Sequence, residues 1–321
     1  MRLKRIFQAL LGVALAHGLA AYAQEYPTKT VKLVVPYAAG GGGDIVARIV
    51  AEKLQAKWGQ TVIVENRVGA GGNVGAEAAF RATPDGYTLL LTPQGPLVVN
   101  KALYPKLAFD PDAFLPVSLL AAAYGVLVVH PKVAATSVQQ LIALARANPD
   151  RLNYASSGTG TTAHLAGELF KSAADIKLVH VPYKGTGPAL TDLLAGQVDM
   201  MFAEVSAAGA HIRDGRLRAL AVGSEKQNPL LPGVASLSDT VPGMVVMTWY
   251  GLVAPPGTPA PVVNKLVASI AEVMKQPDVI RRMQELSVVG IGNTPAEFAL
   301  FMKQERERWG KVVRETGAKA E

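Results

Sequence analysis

Short apolar runs rich in valine and leucine alternate along this chain with segments whose apolar positions recur every three to four residues. Val31-Lys32-Leu33-Val34-Val35 reads as a strand, and residues 44–58 read as a helix with Val46, Val50 and Leu54 on one face and Ile45 and Ile49 beside them. A second strand follows at 61–65. A helix at 73–82 ends in the turn Thr83-Pro84-Asp85-Gly86, and a third strand runs over 87–91. That β-α-β-α-β order predicts a parallel sheet flanked by helices.

The middle of the chain repeats the theme. Strands are expected at 126–129, 152–155, 178–181, 198–202 and 217–222, with helices at 137–148, 164–173 and 186–195. The strands are apolar on both faces, as buried parallel strands are. A strand at 250–254, a proline-rich turn, a helix at 260–275 and a last helix at 295–316 close the chain. The fold class is α/β with two lobes, mainly parallel sheets flanked by helices. A chain that leaves one lobe, builds a second and returns must cross twice, here near 120–126 and 245–252. The expected division is 24–123 with 250–321 for the first lobe and 124–249 for the second. A ligand cleft is expected between them.

The first residues read as an export signal. Arg2, Lys4 and Arg5 precede an apolar run at 6–15, and Ala21-Tyr22-Ala23 has the small-x-small form of a cleavage site. Residues 1–23 are expected to be removed after Ala23, leaving a periplasmic chain of 298 residues from the 321. No later apolar stretch approaches the ~20 residues that a membrane helix needs, so no direct membrane insertion is expected. Composition narrows the function further. With no cysteine, disulfides, thiolate metal sites, a thiol nucleophile and a lipid anchor at the mature N-terminus are excluded. Three of the seven net positive charges belong to the export segment, which leaves +4. No run of Lys and Arg of the nucleic-acid type appears, and nucleic acid is not an expected partner.

Two loops carry the candidate chemistry. Pro36-Tyr37-Ala38-Ala39-Gly40-Gly41-Gly42-Gly43-Asp44 joins a strand to a helix start. Its glycines allow inward-pointing N–H groups, and the helix start adds partial positive charge, so an anion is favoured there. Asp44 fits a helix cap better than a ligand contact. The second loop, Ser156-Ser157-Gly158-Thr159-Gly160-Thr161-Thr162-Ala163-His164, has the same design in the other lobe, with Ser or Thr at five of the seven positions 156–162. Hydroxyl and amide donors can bind a carboxylate without carrying a full charge. The loops holding Thr92 and Gly95, and Tyr183 and Lys184, also follow strands on the side where open α/β sheets bind ligands. His164 is expected to cap the helix or line the cleft.

Enzyme motifs mostly fail. There is no phosphate-binding G-x-x-x-x-G-K-[ST], and neither Ser156 nor Ser157 sits in a G-x-S-x-G elbow. His130, His164, His180 and His211 lack metal-ligand spacing, so neither a metal nor a cofactor is expected. Gly158-x-Gly160-x-x-Ala163 fits the loose dinucleotide pattern, but residues 178–184 offer no Asp or Glu for ribose hydroxyls.

Ordered blocks along the chain carry a family resemblance. They are Val34-Val35-Pro36-Tyr37 with Gly41, Gly42 and Asp44; Val64-Glu65-Asn66-Arg67 with Gly69-Ala70-Gly71-Gly72; and Pro84-Asp85-Gly86-Tyr87-Thr88-Leu89. Leu152 to Gly158, His164 to Leu169, Val181 to Gly185 and Leu217 to Val222 continue the series. From Tyr26-Pro27 to Arg308-Trp309, the chain resembles the substrate-binding proteins of tripartite tricarboxylate transporters, the Bug family. The resemblance implies a type II periplasmic binding fold that closes around a small carboxylate and delivers it to membrane permease subunits. Carried onto this chain, the contacts of the first lobe are Tyr37, Ala38, Gly41 and Gly42, and those of the second are Ser156, Ser157, Thr159, Thr161 and Thr162.

One block departs from the family pattern. Where relatives often carry Asp-Asn after the strand ending at Phe202, this chain has Ala203-Glu204. The resemblance implies that in members that bind amino acids an acid near this point meets the ligand amine; Ala203 cannot, and Glu204 does so only if it faces the cleft. Tyr37, Phe202 and Trp249 are expected to line the rest. A monomer is the default for such a protein. Two alternatives stand beside this reading: a sensor that passes the same ligand to a signalling partner, and an exported hydrolase using Ser156 or Ser157 with His164.

Overall fold

The computed structural model describes residues 26–226, 228 and 231–320. The expected export segment 1–23 and its cleavage site lie outside the described residues. The chain opens with strand β1 (Val31–Val35), helix α1 (Gly42–Trp58), strand β2 (Val62–Asn66), helix α2 (Asn73–Phe80), strand β3 (Thr88–Pro93) and a short helix α3 (Asn100–Leu103). Strand β4 (Leu115–Val129) is 15 residues long. The second lobe follows with α4 (Val138–Ala147), β5 (Asn153–Ser156), α5 (Thr162–Ala174), β6 (Val179–Pro182), α6 (Thr186–Leu194), β7 (Met200–Glu204), α7 (Val205–Arg213) and β8 (Arg218–Val222). The chain returns through β9 (Met247–Ala254), α8 (Ala260–Val273), α9 (Pro277–Glu285), β10 (Val288–Gly290) and α10 (Pro295–Thr316).

The apolar runs become the central strands. In the first sheet β1 pairs in parallel with β2 and β3, and β9 closes antiparallel on β3, followed by β4 and β10. In the second, β5 pairs in parallel with β6 and β7, and β4 runs antiparallel to β7 and β8. The stripe Val46, Ile49, Val50 and Leu54 of α1 is buried on the first sheet. Phe170 of α5 and Leu141 of α4 are buried with Tyr154, Met200 and Phe202 of the second. Each such side chain contributes roughly 1.5–3 kcal/mol by leaving water.

The crossings are tighter than the pattern alone suggests. β4 does not stop between the lobes: residues up to Tyr124 pair with β9 in the first sheet, and residues from Gly125 pair with β7 in the second. The return strand pairs with the first sheet from Met247, so the expected boundary at 249/250 falls inside β9. Gly125 N–H donates to Val246 O at 2.8 Å, Val246 N–H to Gly223 O at 2.8 Å, and Gly223 N–H to Gly125 O at 2.7 Å. A Cβ at Gly125 would lie 2.7 Å from Val246 Cγ1, so only glycine lets the crossing strands lie this close. Four elements escaped the pattern, the one-turn helix α3 among them. α7 is built largely from small residues, α9 opens at Pro277 after its N-cap Gln276, and β10 is a three-residue edge strand, too short for any periodicity.

Candidate functional site

Both lobes aim helix starts at the cleft between them. The cavity there, open in part to solvent, is walled on one side by the β1–α1 loop (Tyr37, Ala38, Gly41, Gly42, Gly43 and Asp44) with Pro93 and Gly95 at and after the end of β3 and Thr248 and Tyr250 on β9. The other wall is the start of α5 (Ser157, Thr161, Thr162 and Ala163), Thr186 at the start of α6, and Met201, Phe202, Ala203 and Glu204 of β7. Gly125 and Val246 of the crossings form its floor. Among the described residues, no lysine, arginine or histidine lines it.

The first loop is held by side-chain hydrogen bonds. Asp44 is buried in the first turn of α1, where its carboxylate accepts two hydrogen bonds from Arg48 at 2.9 Å, one from Gly40 N–H at 3.0 Å and one from Asn66 Nδ2 at 3.1 Å. Burial alone would push its carboxyl up, but these partners outweigh it and hold the group below the usual range. Asn66 Nδ2 also donates to Tyr37 O at 2.9 Å, and Tyr37 Oη donates to Gly71 O at 2.9 Å. Burial raises the Tyr37 phenol, so it stays protonated and able to donate.

The second loop starts α5. Thr161 is its N-cap: the hydroxyl donates to Gly158 O at 2.7 Å and accepts from His164 N–H at 3.4 Å. Thr162 Oγ1 meets the first lobe, 3.0 Å from Thr248 Oγ1 and hydrogen-bonded to Gln94 Nε2. The lobes touch elsewhere through glycine. A Cβ at Gly71 would lie 2.2 Å from Thr159 O, one at Gly160 2.4 Å from Asn100 Oδ1, and one at Gly185 2.9 Å from Ala38 Cβ. The two walls therefore stand closed against each other.

Glu204 ends β7 with its carboxylate in the cavity wall, where Oε1 accepts from Tyr250 Oη at 2.5 Å and Oε2 from Ser206 Oγ at 3.3 Å. Burial pushes this carboxyl up against the opposing effect of those hydrogen bonds. Gly42 packs directly on the pair: a Cβ there would sit 2.1 Å from Glu204 Oε2 and 2.2 Å from Tyr250 Oη.

The structure brings Tyr37, Ala38, Gly41, Gly42, Gly95, Ser157, Thr161, Thr162, Ala203 and Glu204 onto this one cavity, and Phe202 with them. It sets the other candidates apart. Thr92 is fully buried and turns its hydroxyl to Pro93 O, 3.1 Å away. Ser156 is fully buried with its hydroxyl 2.7 Å from His180 Nε2, so its partner is not His164. His164 lies buried behind the loop, with Nδ1 accepting from Gly160 N–H at 3.2 Å. Thr159 meets the cleft through its carbonyl at Gly71. Tyr183 turns its hydroxyl to Asp192 Oδ2 at 2.7 Å and borders, with Lys184, a smaller cavity at the cleft mouth. Trp249 is a core residue, because it alternates with Thr248 and Tyr250 along β9. Its indole N–H and that of Trp309 both donate to Glu305 Oε2, at 2.8 and 2.9 Å. Thr186, Thr248 and Tyr250 were missed as lining residues; the two-residue period of β9 is the signal that pairs Thr248 with Tyr250.

Among the described residues no group of three or more His, Asp and Glu side chains is arranged to hold a metal ion, and no helix is long and apolar enough to cross a membrane.

Comparison with known proteins agrees over nearly the whole chain. A family model described as the tripartite tricarboxylate transporter family receptor matches residues 46–318. BugT of Bordetella pertussis is 36% identical over 317 residues, covering 97% of each chain. A protein of R. palustris solved with adipate has a TM-score of 0.88 and 33% identity, over 91% of this chain and 99% of that one. MatC of Rhodopseudomonas palustris, solved with bound malate, has a TM-score of 0.86 and 34% identity, over 90% of this chain and all of its own (100%).

Proposed function

The chain belongs to the tripartite tricarboxylate transporter receptor family, and on that premise we propose that it captures one small organic carboxylate in the cavity between its lobes and hands it, as a monomer, to membrane permease subunits. Members of this family are periplasmic carboxylate receptors with the two-lobed fold, and the chain is a binding protein rather than an enzyme. Export would end with cleavage after Ala23, which mass spectrometry of the mature N-terminus tests.

The observation that carries the ligand reading is the convergence of two helix starts from opposite lobes, at Gly42 and Thr162, on a cavity that no basic side chain lines among the described residues. Backbone N–H groups and helix dipoles favour an anion there, and threonine hydroxyls add neutral donors. They replace the carboxylate's water shell without the desolvation cost of a buried lysine or arginine. The body of the acid then lies against Met201, Phe202 and Val246. Glu204 stands beside Gly42 in the same wall, and its acceptor oxygens suit an amino or hydroxyl substituent close to the bound carboxylate.

A thermal-shift screen of ligand-stripped protein tests this, against mono-, di- and tricarboxylates, hydroxy acids and amino acids. An acid at 100 times its Kd adds about 2.7 kcal/mol, which raises Tm by several degrees. Absence of a shift with every acid would remove carboxylate capture. Loss of cellular uptake of the acid on deleting the chain, with the permease intact, tests delivery.

A further inference from the structure

His164 and His180 take no part in the cavity wall, yet both reach the loop that forms half of it. Their rings lie 4.3 Å apart, and Tyr154 stacks on the far face of His180 at 4.8 Å. The column is built in. Gly167 clears the way for the Tyr154 ring, since a Cβ there would lie 2.2 Å from it, and Tyr154 Oη donates to Glu168 Oε1 at 2.6 Å. Lys171 pairs with Glu168 in turn, at 2.8 Å.

Each imidazole holds one glycine peptide of the loop. His164 Nδ1 accepts directly from Gly160 N–H at 3.2 Å. His180 Nε2 shares a 2.7 Å hydrogen bond with Ser156 Oγ, which accepts from Gly158 N–H at 3.2 Å. Gly158 and Gly160 both have positive φ, +131° and +84°, a backbone region that must be held against many alternatives available to glycine. Thr161, between Gly160 and the helix start, is capped on the same loop through Gly158 O.

We propose that His164 and His180 are positioning residues for ligand capture: two neutral imidazoles fix the Gly158 and Gly160 peptides and so pre-aim the Thr161–Ala163 donors at the bound acid. The proposal rests on the carboxylate reading of the cavity. Its physical content is preorganisation: a loop ordered before the ligand arrives leaves less ordering to be done on binding. The same peptides form the edge that closes on Gly71 and Asn100 of the first lobe, so the column also sets where the lobes meet. Nδ1 of His164 accepts only in the neutral ring, and burial keeps it neutral by pushing its pKa down to about 4.

The test uses the crossed mimicry of asparagine and glutamine. The Asn amide reaches the place of Nδ1, and the Gln amide the place of Nε2. Exported protein labelled with ¹⁵N-glycine reports amide exchange at Gly158 and Gly160 without any ligand, and adipate and malate serve as binding probes. His164→Asn is expected to keep Gly160 protected and probe affinity near wild type, whereas His164→Gln speeds Gly160 exchange and weakens affinity, each by about tenfold, the scale of one lost buried hydrogen bond. At position 180 the pattern reverses: His180→Gln keeps Gly158 protected and His180→Asn does not. Ser156→Ala leaves both rings in place and should expose Gly158 alone. The proposal is overturned if Asn and Gln behave alike at each position, or if Ser156→Ala leaves Gly158 exchange unchanged. If wild-type protein binds no acid, the carboxylate reading fails, while the exchange pattern still decides the positioning role.

Discussion

Tyr250 Oη donates to Glu204 Oε1 at 2.5 Å, and this bond ties β9 of the first lobe to the end of β7 in the second. Gly42 rests on both side chains, so the start of α1, the phenol and the carboxylate form one contact at the closed cleft. Gly42→Val places two methyl groups where Glu204 and Tyr250 stand. Overpacking of this kind costs about 1–3 kcal/mol. We expect carboxylate binding to be abolished in calorimetry while the far-UV spectrum stays native; unchanged affinity would take this loop out of the site.

Burial raises the Glu204 carboxyl above its ordinary value of 4.5. A folded-state value above the unfolded one means that the group's stabilisation is complete below about pH 4.5 and is lost as pH rises through the folded value. Glu204→Gln stays neutral throughout. The difference in Tm between Glu204→Gln and wild type should therefore grow in favour of the variant from pH 4.5 upward. A pH-independent difference would mean that the carboxyl is not perturbed. Tyr250→Phe leaves the buried carboxyl without its main donor and should lower stability by about 1–3 kcal/mol in urea unfolding.

The two histidines act in the opposite direction. Burial pushes His164 to about 4 and His180 to about 3, from 6.5. The folded state prefers the neutral rings, so their contribution is complete above about pH 6.5 and is lost as pH falls toward those values. Stability should fall by up to about 1.4 kcal/mol per pH unit for each ring within its window. Urea midpoints of wild type and of the double variant His164→Asn with His180→Gln, between pH 7 and 4.5, check this. The variant should lose less.

Lobe closure is tested at Gly71, which has a φ of +60° and no room for a Cβ beside Thr159 O at 2.2 Å. Gly71→Ala should hold the cleft open, raising the radius of gyration in solution scattering and weakening ligand binding about tenfold or more, the scale of a closed state made about 1.4 kcal/mol less favourable. Scattering identical to wild type with ligand bound would show that this edge does not govern closure.

Glu305 is buried among two tryptophans, and its Oε2 accepts from both indoles. Glu305→Leu strands two buried N–H donors, and we expect a loss of about 2–5 kcal/mol in unfolding free energy. Glu305→Gln, which keeps an acceptor oxygen, should lose less than half of that.

Much of this molecule is legible without coordinates, and the boundary has a physical cause. The runs Val31–Val35 and Leu152-Asn153-Tyr154-Ala155, the helical stripe of α1, and the glycine and hydroxyl loops at 36–44 and 156–164 are local features that determine strand, helix and helix start where they stand. α7 escaped because its small residues give a weak apolar stripe, and β10 because three residues carry no period. What tertiary structure alone decided is which residues line the cavity. The register of β5 on β6 sets His180 beside Tyr154 and gives Ser156 its partner. The alternation of β9 turns Tyr250 to the cleft and Trp249 to the core. The meeting of Glu204 with Tyr250 joins residues 46 apart in the chain and on different sheets, a relation no local pattern encodes because it exists only once both lobes have folded and closed.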